Sequence, residues 1–271
     1  MQANATQRRS WDGPTGDVWT RWAERFEAGV AGYTGAFADA AALAPGERVL
    51  DVGCGPGGTA LAAAAATGPD GHVLGVDLSS SLVARARERA AAAGARTAEF
   101  AVADAQVDDL GVHDVVLSRN GVMFFDDPAA AFANLHRALR PGGRVALQVW
   151  RSWAEQEWLQ VVLGALDVPP PPDGAPGPVG LGDPQRCRAL LTGAGFTGVA
   201  VTGVRRPMWF GADVDDATAF LLDQHAARLA ELPAARRDAA AGRLRTALAA
   251  HAGPDGVVAG SAAWLLTADR P

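Results

Sequence analysis

The 271-residue chain has no lysine; all 24 of its basic residues are arginine. No side-chain amine is available to form a Schiff base, so that class of covalent catalysis is excluded. Cysteine occurs only at Cys54 and Cys187, too few for a disulfide scaffold or a cysteine-rich metal site. No run of about 18 apolar residues is present, so no membrane-spanning helix is expected. The opening MQANATQRRSWDG lacks the apolar core of a signal peptide, and the chain is expected in the cytoplasm. Positive charge is also short. With a net charge of -6, a phosphate backbone is a poor partner, and nucleic acid is not expected as substrate.

What remains is ordinary globular material, 49% hydrophobic and 20% charged, which excludes wholesale disorder. The length suits one large domain, or one domain with additions, able to bury a core without disulfides. Residues 11–43 read as helical, with Trp19, Trp22, Phe26 and Val30 at three-to-four-residue spacing. From residue 47 short apolar runs alternate with helical patterns. ERVLDV (47–52), HVLGVD (72–77), TAEFAVAD (97–104), HDVVLS (113–118) and RVALQVW (144–150) read as strands. Ser79 or Ser80, Asp127-Pro128 and Asp183-Pro184 supply helix starts. Pro141-Gly142-Gly143 reads as a turn.

This alternation predicts an α/β fold with a doubly wound, mostly parallel sheet. Ligands on such sheets sit at the carboxyl ends of the strands. Two stretches break the pattern. Residues 151–181 hold Trp153, Trp158 and the stiff PPPPDGAPGP (169–178), and residues 211–254 hold two helical patterns between the strand 198–208 and the last apolar run, 257–269. With 1–43, these are the segments expected to cover the sheet's carboxyl edge. The remaining expectation is a domain over 44–271 that carries the insertions 151–181 and 211–254.

VLDVGCGPGG (49–58) is the strongest local signal, a strand, a glycine turn and a helix start. Glycine admits positive φ and close ligand approach, and the helix N-terminus favours an anion. Gly53, Gly55 and Gly58 satisfy G-x-G-x-x-G, so a nicotinamide-dependent dehydrogenase and a plain tight turn both stand beside other readings. Asp51, two residues before Gly53, would repel a pyrophosphate and welcome an ammonium group. Asp77 ends the second strand, where a carboxylate accepts two ribose hydroxyls. Asp104 can accept from an adenine amino group, with the Ala105 amide beside it.

DVGCGPGG, GVDLS, VADAQ, LSRNGVMFF and LRPGGRVAL, in this order and spacing, resemble the motif series of class I S-adenosylmethionine-dependent methyltransferases. The small-molecule, ubiquinone/menaquinone-type branch is most similar. The resemblance covers about 45–150 and extends loosely to Trp11-Asp12-Gly13 and the final AWLLTA run. It implies a Rossmann-like, seven-stranded sheet whose last strand is antiparallel, and S-adenosylmethionine as cofactor. It further implies that the turn containing Gly53, Cys54 and Gly55 holds the methionine part, with Asp51 beneath its amino group and the Ser118 carbonyl accepting from it. Asp77 would hold the ribose, Leu78 would flank adenine, and Asp104 and Ala105 would contact it. Cys54 reads as a small filler.

The acceptor site is less legible. Arg119, Asn120, Met123 and Phe124 lie at the mouth of the fourth strand, and Trp153 belongs to a covering segment. Asn120 does not sit in the N-P-P-[YF] or D-P-P-Y pattern of amino-methylating nucleic-acid enzymes. Asp127 is better read as a helix cap than as a ligand, so no metal is expected. His225 extends a stripe of Thr218, Leu221, Leu222 and Leu229, which aims it inward as a candidate general base beside the reading as a packed core histidine. The expected activity is methyl transfer to a small organic acceptor in bacterial specialised metabolism. A cofactor-binding protein of this fold without methyl transfer is the alternative, and the dehydrogenase a weaker one. Nothing indicates oligomeric state.

Overall fold

The computed structural model describes residues 4–271. Its strands are β1 (Arg48–Val52), β2 (His72–Asp77), β3 (Ala98–Val102), β4 (His113–Arg119), β5 (Leu139–Trp150), β6 (Thr197–Gly211), β7 (Ala252–Gly253) and β8 (Gly256–Asp269). They run across one sheet in the order β3-β2-β1-β4-β5-β8-β6, and the two-residue β7 pairs only with β8. The strands from β3 to β5 are parallel to their neighbours, whereas β8 is antiparallel to both β5 and β6. This is the doubly wound sheet read from the alternation, with the Rossmann-like order and antiparallel strand that the family resemblance implied, and the short β7 brings its seven strands to eight.

The helices are α1 (Ala5–Trp11), α2 (Pro14–Arg21), α3 (Ala23–Gly29), α4 (Thr34–Ala41), α5 (Gly58–Thr67), α6 (Ser80–Ala93), α7 (Pro128–Arg137), α8 (Glu157–Ala165), α9 (Pro184–Gly193), α10 (Val214–Gln224), α11 (Ala226–Ala230) and α12 (Ala234–Ala249). Side chains alternate across the central strands, so each face takes its own helices. Val49, Val73, Val115 and Leu117 pack with Phe37 of α4, Ala60 and Ala63 of α5 and Val83 and Ala86 of α6. Leu50, Val52, Val116 and Leu147 pack with Phe132 of α7, Val162 of α8, Leu191 of α9 and Leu244 of α12.

Local chemistry sets the helix starts. Ser79 accepts from the Leu82 amide, Asp127 from Ala130 and Asp183 from Gln185, and proline follows each of the two aspartates. Pro141-Gly142-Gly143 is not the turn expected. β5 begins at Leu139 and runs through it with a shifted register opposite His113 and Val115. Arg270 stabilises that irregularity. Its carbonyl accepts from Gly142 at 2.8 Å, and its amide donates to Gly143 at 2.7 Å.

Candidate active site

The turn after β1 is fastened to β2. The amides of Gly53 and Cys54 both donate to the Val76 carbonyl, at 2.9 and 3.0 Å. Gly53, Gly55 and Gly57 all have positive φ, at 67°, 52° and 87°. At Gly53 the requirement is steric too, because a Cβ there would lie 2.9 Å from the Gly121 Cα. Asp77, at the end of β2, accepts from the Gly55 amide with Oδ2 and from the Ser79 amide with Oδ1, each at 2.9 Å. One carboxylate therefore joins the glycine turn to the start of α6. Burial raises its pKa, against the pull of those amides. Cys54 is buried, its thiol directed at the Gly55 carbonyl, and burial lifts its pKa far above the ordinary thiol value.

Asp51 lies below this turn and is 1% exposed. Neither carboxylate oxygen has a hydrogen-bond partner. Desolvation raises its pKa to about 7, and the negative Asp77 adds to that, while Arg119 works in the opposite direction. In register, Asp51 sits opposite Leu117 of β4. Arg119, two residues further along β4, projects from the same face. Its Nη1 is 3.5 Å from the Thr34 hydroxyl, and burial lowers its pKa.

Asp104, just past β3, is almost wholly buried. Its Oδ1 accepts from the Gln106 amide at 3.0 Å and from the Asn4 side chain at 2.6 Å. Asn4 also accepts from the Asp126 amide at 2.9 Å, so it bridges the end of β3 and the loop that leads into α7. Nothing in the local sequence marked Asn4 for this role.

Leu78, Ala105, Asn120, Met123 and Phe124 border one cavity of about 380 Å³ together with Gly53, Cys54, Gly55, Asp77 and Asp104. Asn120 holds a left-handed backbone, φ 63°, and its amide donates to the Gln148 carbonyl at 2.9 Å. The Gln148 side-chain amide approaches Asn120 Oδ1 at 3.3 Å. Ser118 does not reach the cavity wall. It is fully buried, and its hydroxyl donates to the Val52 carbonyl at 2.7 Å, which ties β4 to β1.

The far part of the cavity is aromatic. Trp11 meets Trp19 and Phe124 edge to face, Trp19 stacks on Phe26 at 3.7 Å, and Phe26 meets Phe220 at 5.1 Å. Trp150, Trp158, Trp209 and Phe210 complete this wall. Besides Ser118, three expected site residues do not border the cavity: Asp51, which lies buried behind Val52 and Gly53, Trp153 and His225. Trp153 lies in a 3-10 turn, Trp153–Glu155, and Trp158 borders the cavity in its place. His225 follows the last residue of α10, whose cavity-lining side chains are Phe220 and Gln224. Trp22 is also absent from the wall. It packs against Phe220, and its indole donates to Asp223 at 2.7 Å. Sequence reasoning missed Asn4, Glu27 and the Trp209-Phe210 pair. Among the described residues no helix is long and apolar enough to cross a membrane, and no three His, Cys, Asp or Glu side chains are grouped as a metal ion would require.

Residues 49–143 match the family described as Methyltransferase domain. An arsenite methyltransferase of Halobacterium salinarum is 35% identical over 193 residues, which is 69% of this chain and 44% of the relative. The chain thus spans less than half the length of that relative. The YcgJ protein of Bacillus subtilis superposes with a TM-score of 0.60 at 18% identity, over 89% of this chain and 98% of that one. Phosphoethanolamine N-methyltransferase 2 of Haemonchus contortus, solved with S-adenosylhomocysteine and phosphomonomethylethanolamine, superposes with a TM-score of 0.54 at 20% identity, over 89% of this chain and 52% of that one. The sheet order with its antiparallel β8, the glycine turn after β1 and the solved neighbours give this chain the class I S-adenosylmethionine-dependent methyltransferase fold, with a methyltransferase domain over residues 49–143.

Proposed function

We propose that the protein transfers the methyl group of S-adenosylmethionine to a small, mostly apolar organic acceptor of the kind met in bacterial specialised metabolism. The observation that carries this reading is the single cavity in which an acid-flanked glycine turn faces an aromatic chamber. The residues present suit the cofactor. Asp51, buried behind the wall formed by Val52 and Gly53, keeps an unpaired carboxylate whose charge favours an ammonium group beside that turn. Asp77 retains acceptor capacity for two ribose hydroxyls after serving Gly55 and Ser79. Leu78 and Ala105 offer an apolar slot for adenine beside Asp104. An acid at position 51 is also what a dinucleotide's pyrophosphate would avoid.

When bound, S-adenosylmethionine supplies a methyl group on a sulfonium, open to in-line displacement by the acceptor. The chain's own contribution is positioning and exclusion of water. Trp11, Trp19, Phe26 and Phe220 make a dry wall suited to an apolar acceptor and to a neighbouring cation. Helices α1 to α3, Trp158 and Pro178, and the stretch from Met208 to Gln224 cover the cavity. Asn120, Met123 and Phe124 are the acceptor-side residues at the mouth of β4. Arsenite is a poor acceptor for this site. A soft metalloid is held by thiolates, whereas Cys54 is held protonated by burial and Cys187, its pKa pushed up to about 12, donates to the Leu181 carbonyl.

Calorimetry with S-adenosylhomocysteine and NAD, followed by mass spectrometry of a panel of phenolic, amine and carboxylate acceptors, tests this reading. Binding of S-adenosylhomocysteine without NAD, and a mass gain of one methyl on an acceptor, are expected. Binding of NAD alone would overturn it. Cofactor binding without any methylated product would favour a binding protein of the same fold.

A further inference from the structure

We infer that the acceptor is a flat aromatic oxyanion, ionised before it binds, and that the Asn120 side-chain amide donates to its oxygen. This rests on the functional reading above and names the class of its acceptor. Among the described residues the cavity wall holds six ionisable side chains, and none is free to act as a base toward the acceptor. Arg25 and Arg119 keep their protons. Burial holds Cys54 as a thiol. Glu27 is engaged by Arg89 through two hydrogen bonds. Asp77 and Asp104 each accept two hydrogen bonds and belong to the cofactor in the functional reading. None of the five histidines borders the cavity, nor does the single tyrosine, Tyr33, whose hydroxyl bonds with that of Ser261 at 2.7 Å. A positioned base contributes about 10²–10⁴-fold to turnover. Without one, the acceptor must bring a lone pair that needs no deprotonation.

One polar group on the wall is set to receive such an oxygen. Asn120 is held in a left-handed backbone, φ 63°, a strained state for a non-glycine residue that persists where its surroundings fix it. Here the Asn120 amide donates to the Gln148 carbonyl, and a Cβ on the following Gly121 would lie 2.7 Å from the Val52 carbonyl oxygen, so the segment is pressed against β1. The fully buried Gln148 then donates from Nε2 to Asn120 Oδ1 at 3.3 Å. That contact commits the Asn120 side-chain carbonyl. Its Nδ2 has no acceptor among the described residues and is the atom left for the cavity. An amide N–H there matches an oxygen lone pair, binds an anionic oxygen more strongly than a neutral one, and rejects an N–H or O–H donor. Trp11, Trp19, Phe26 and Phe220 supply edges and faces for a flat ring. In the transfer an oxygen lone pair forms the bond to the methyl carbon while the carbon–sulfur bond breaks with its electron pair going to sulfur. Oxyanion and sulfonium become a neutral ester or ether and a thioether, and no proton has to leave.

The test uses three probes of one ring size. 2-Naphthoate and the acidic enol 2-hydroxy-1,4-naphthoquinone are ionised at pH 8, and 2-naphthol is mostly neutral there. Calorimetry on the protein loaded with S-adenosylhomocysteine should show both oxyanions bound about tenfold or more tightly than 2-naphthol. Naphthoate in the lead makes the acceptor a carboxylate, and the quinone in the lead makes it an enolate. Asn120→Ala should weaken both oxyanions by about ten- to hundredfold. Asn120→Asp, which sets a like charge on the wall, should weaken them further. S-adenosylhomocysteine affinity, the check on folding, should hold in both variants. With S-adenosylmethionine, any turnover of 2-naphthol should rise about tenfold per pH unit toward its own ionisation. A preference for 2-naphthol, undiminished oxyanion affinity in Asn120→Asp, or a 2-naphthol rate independent of pH overturns the inference and leaves cofactor binding untouched. Failure of the wild-type protein to bind S-adenosylhomocysteine overturns the functional reading and the inference with it.

Discussion

Glu27 on α3 and Arg89 on α6 face each other through two hydrogen bonds, 2.7 Å from Nη1 to Oε1 and 2.8 Å from Nη2 to Oε2, and the same Nη1 reaches the Pro56 carbonyl at 2.8 Å. One guanidinium thus fastens the N-terminal helices to the glycine turn. The contact is close, for a Cβ on Gly58 would lie 2.1 Å from Glu27 Oε1. A carboxylate on the first turn of α5 is also favoured by the helix dipole. Asp12 makes a parallel tie, accepting from the amide and hydroxyl of Ser80 at 2.8 and 2.6 Å.

Arg89→Ala should therefore loosen the cover without unfolding the sheet. Both side chains are partly exposed, so the global cost is about 1 kcal/mol. The local effect is larger. Amide exchange across α2 and α3 should accelerate, and the bound cofactor should dissociate several times faster in stopped-flow measurements. Exchange confined to the edge around β3, with unchanged dissociation, would contradict the fastening role.

Asp77→Ala should cost more than a ribose contact. The carboxylate holds two hydroxyls in the proposed complex and the Gly55 and Ser79 amides in the free protein. Loss of charged hydrogen bonds to the ribose corresponds to roughly 1.5–3 kcal/mol, or about ten- to hundredfold in affinity. This change should weaken S-adenosylhomocysteine and 5′-methylthioadenosine, which lacks the amino-acid part, alike, because both carry the ribose. Calorimetry that finds either compound unaffected would remove Asp77 from the ribose site.

The parts legible in the sequence were those whose chemistry is local. A strand, three glycines with positive φ and an acid before them lie within ten residues of one another, and Asp77 closes the next strand, so Asp51, Gly53, Gly55 and Asp77 could be picked out as candidates directly. Asn4 could not, because its meaning comes from Asp104, a hundred residues away. The inward stripe that led to His225 assumed one continuous helix. α10 stops at Gln224 and α11 starts at Ala226, and the break at His225 shifts the phase between Leu221 and Leu229. A 3-10 turn does the same before α8, moving Trp153 off the wall and Trp158 onto it. At 141–143, two glycines beside a proline read as a turn, but the Arg270 backbone lets the strand pass through with a bulge.

Asp51 should make cofactor binding depend on pH near neutrality. Its carboxyl, raised to about 7, must ionise before its charge favours an ammonium group beside the turn. S-adenosylhomocysteine affinity should then be level above about pH 8 and fall by up to about tenfold per pH unit below 7, with a proton released on binding near neutrality. For the unliganded protein the sign reverses. A carboxyl whose folded pKa exceeds its unfolded value of 3.8 favours the fold below that value, and this advantage disappears as pH rises through 7. Asp51→Asn should accordingly raise the stability of the unliganded protein at pH 8, by a few kcal/mol at most, while abolishing the pH dependence of binding. Arg119 opposes the raised pKa and Asp77 reinforces it, so Arg119→Ala should move the transition to higher pH. Calorimetry in buffers of different ionisation enthalpy counts the proton directly, and the absence of proton release at pH 7 would refute the assignment.

His225 provides the sharpest contrast between a catalytic base and a packed side chain. A general base contributes about 10²–10⁴-fold to turnover and stands within hydrogen-bond reach of the proton it takes. His225 follows α10 without bordering the cavity. Burial, aided by the positive Arg228, lowers its pKa to about 4, which keeps the ring neutral across the physiological range. His225→Gln should leave turnover within about twofold once an acceptor is in hand, far below the loss of a base. Its effect should appear in stability instead. A histidine with a depressed folded pKa contributes stability that is present above its unfolded value of 6.5 and is lost as pH falls toward 4. Thermal melts of the wild-type protein should therefore steepen in their decline between pH 6.5 and 4, and His225→Gln should flatten that part of the profile. Phe220→Ala, on α10 five residues before His225 and on the cavity wall, should do the opposite and weaken acceptor binding at constant pH. A hundredfold loss of turnover in His225→Gln, with a pH–rate profile that loses a limb near 4, would restore the base role and require α10 and α11 to rearrange around the bound acceptor.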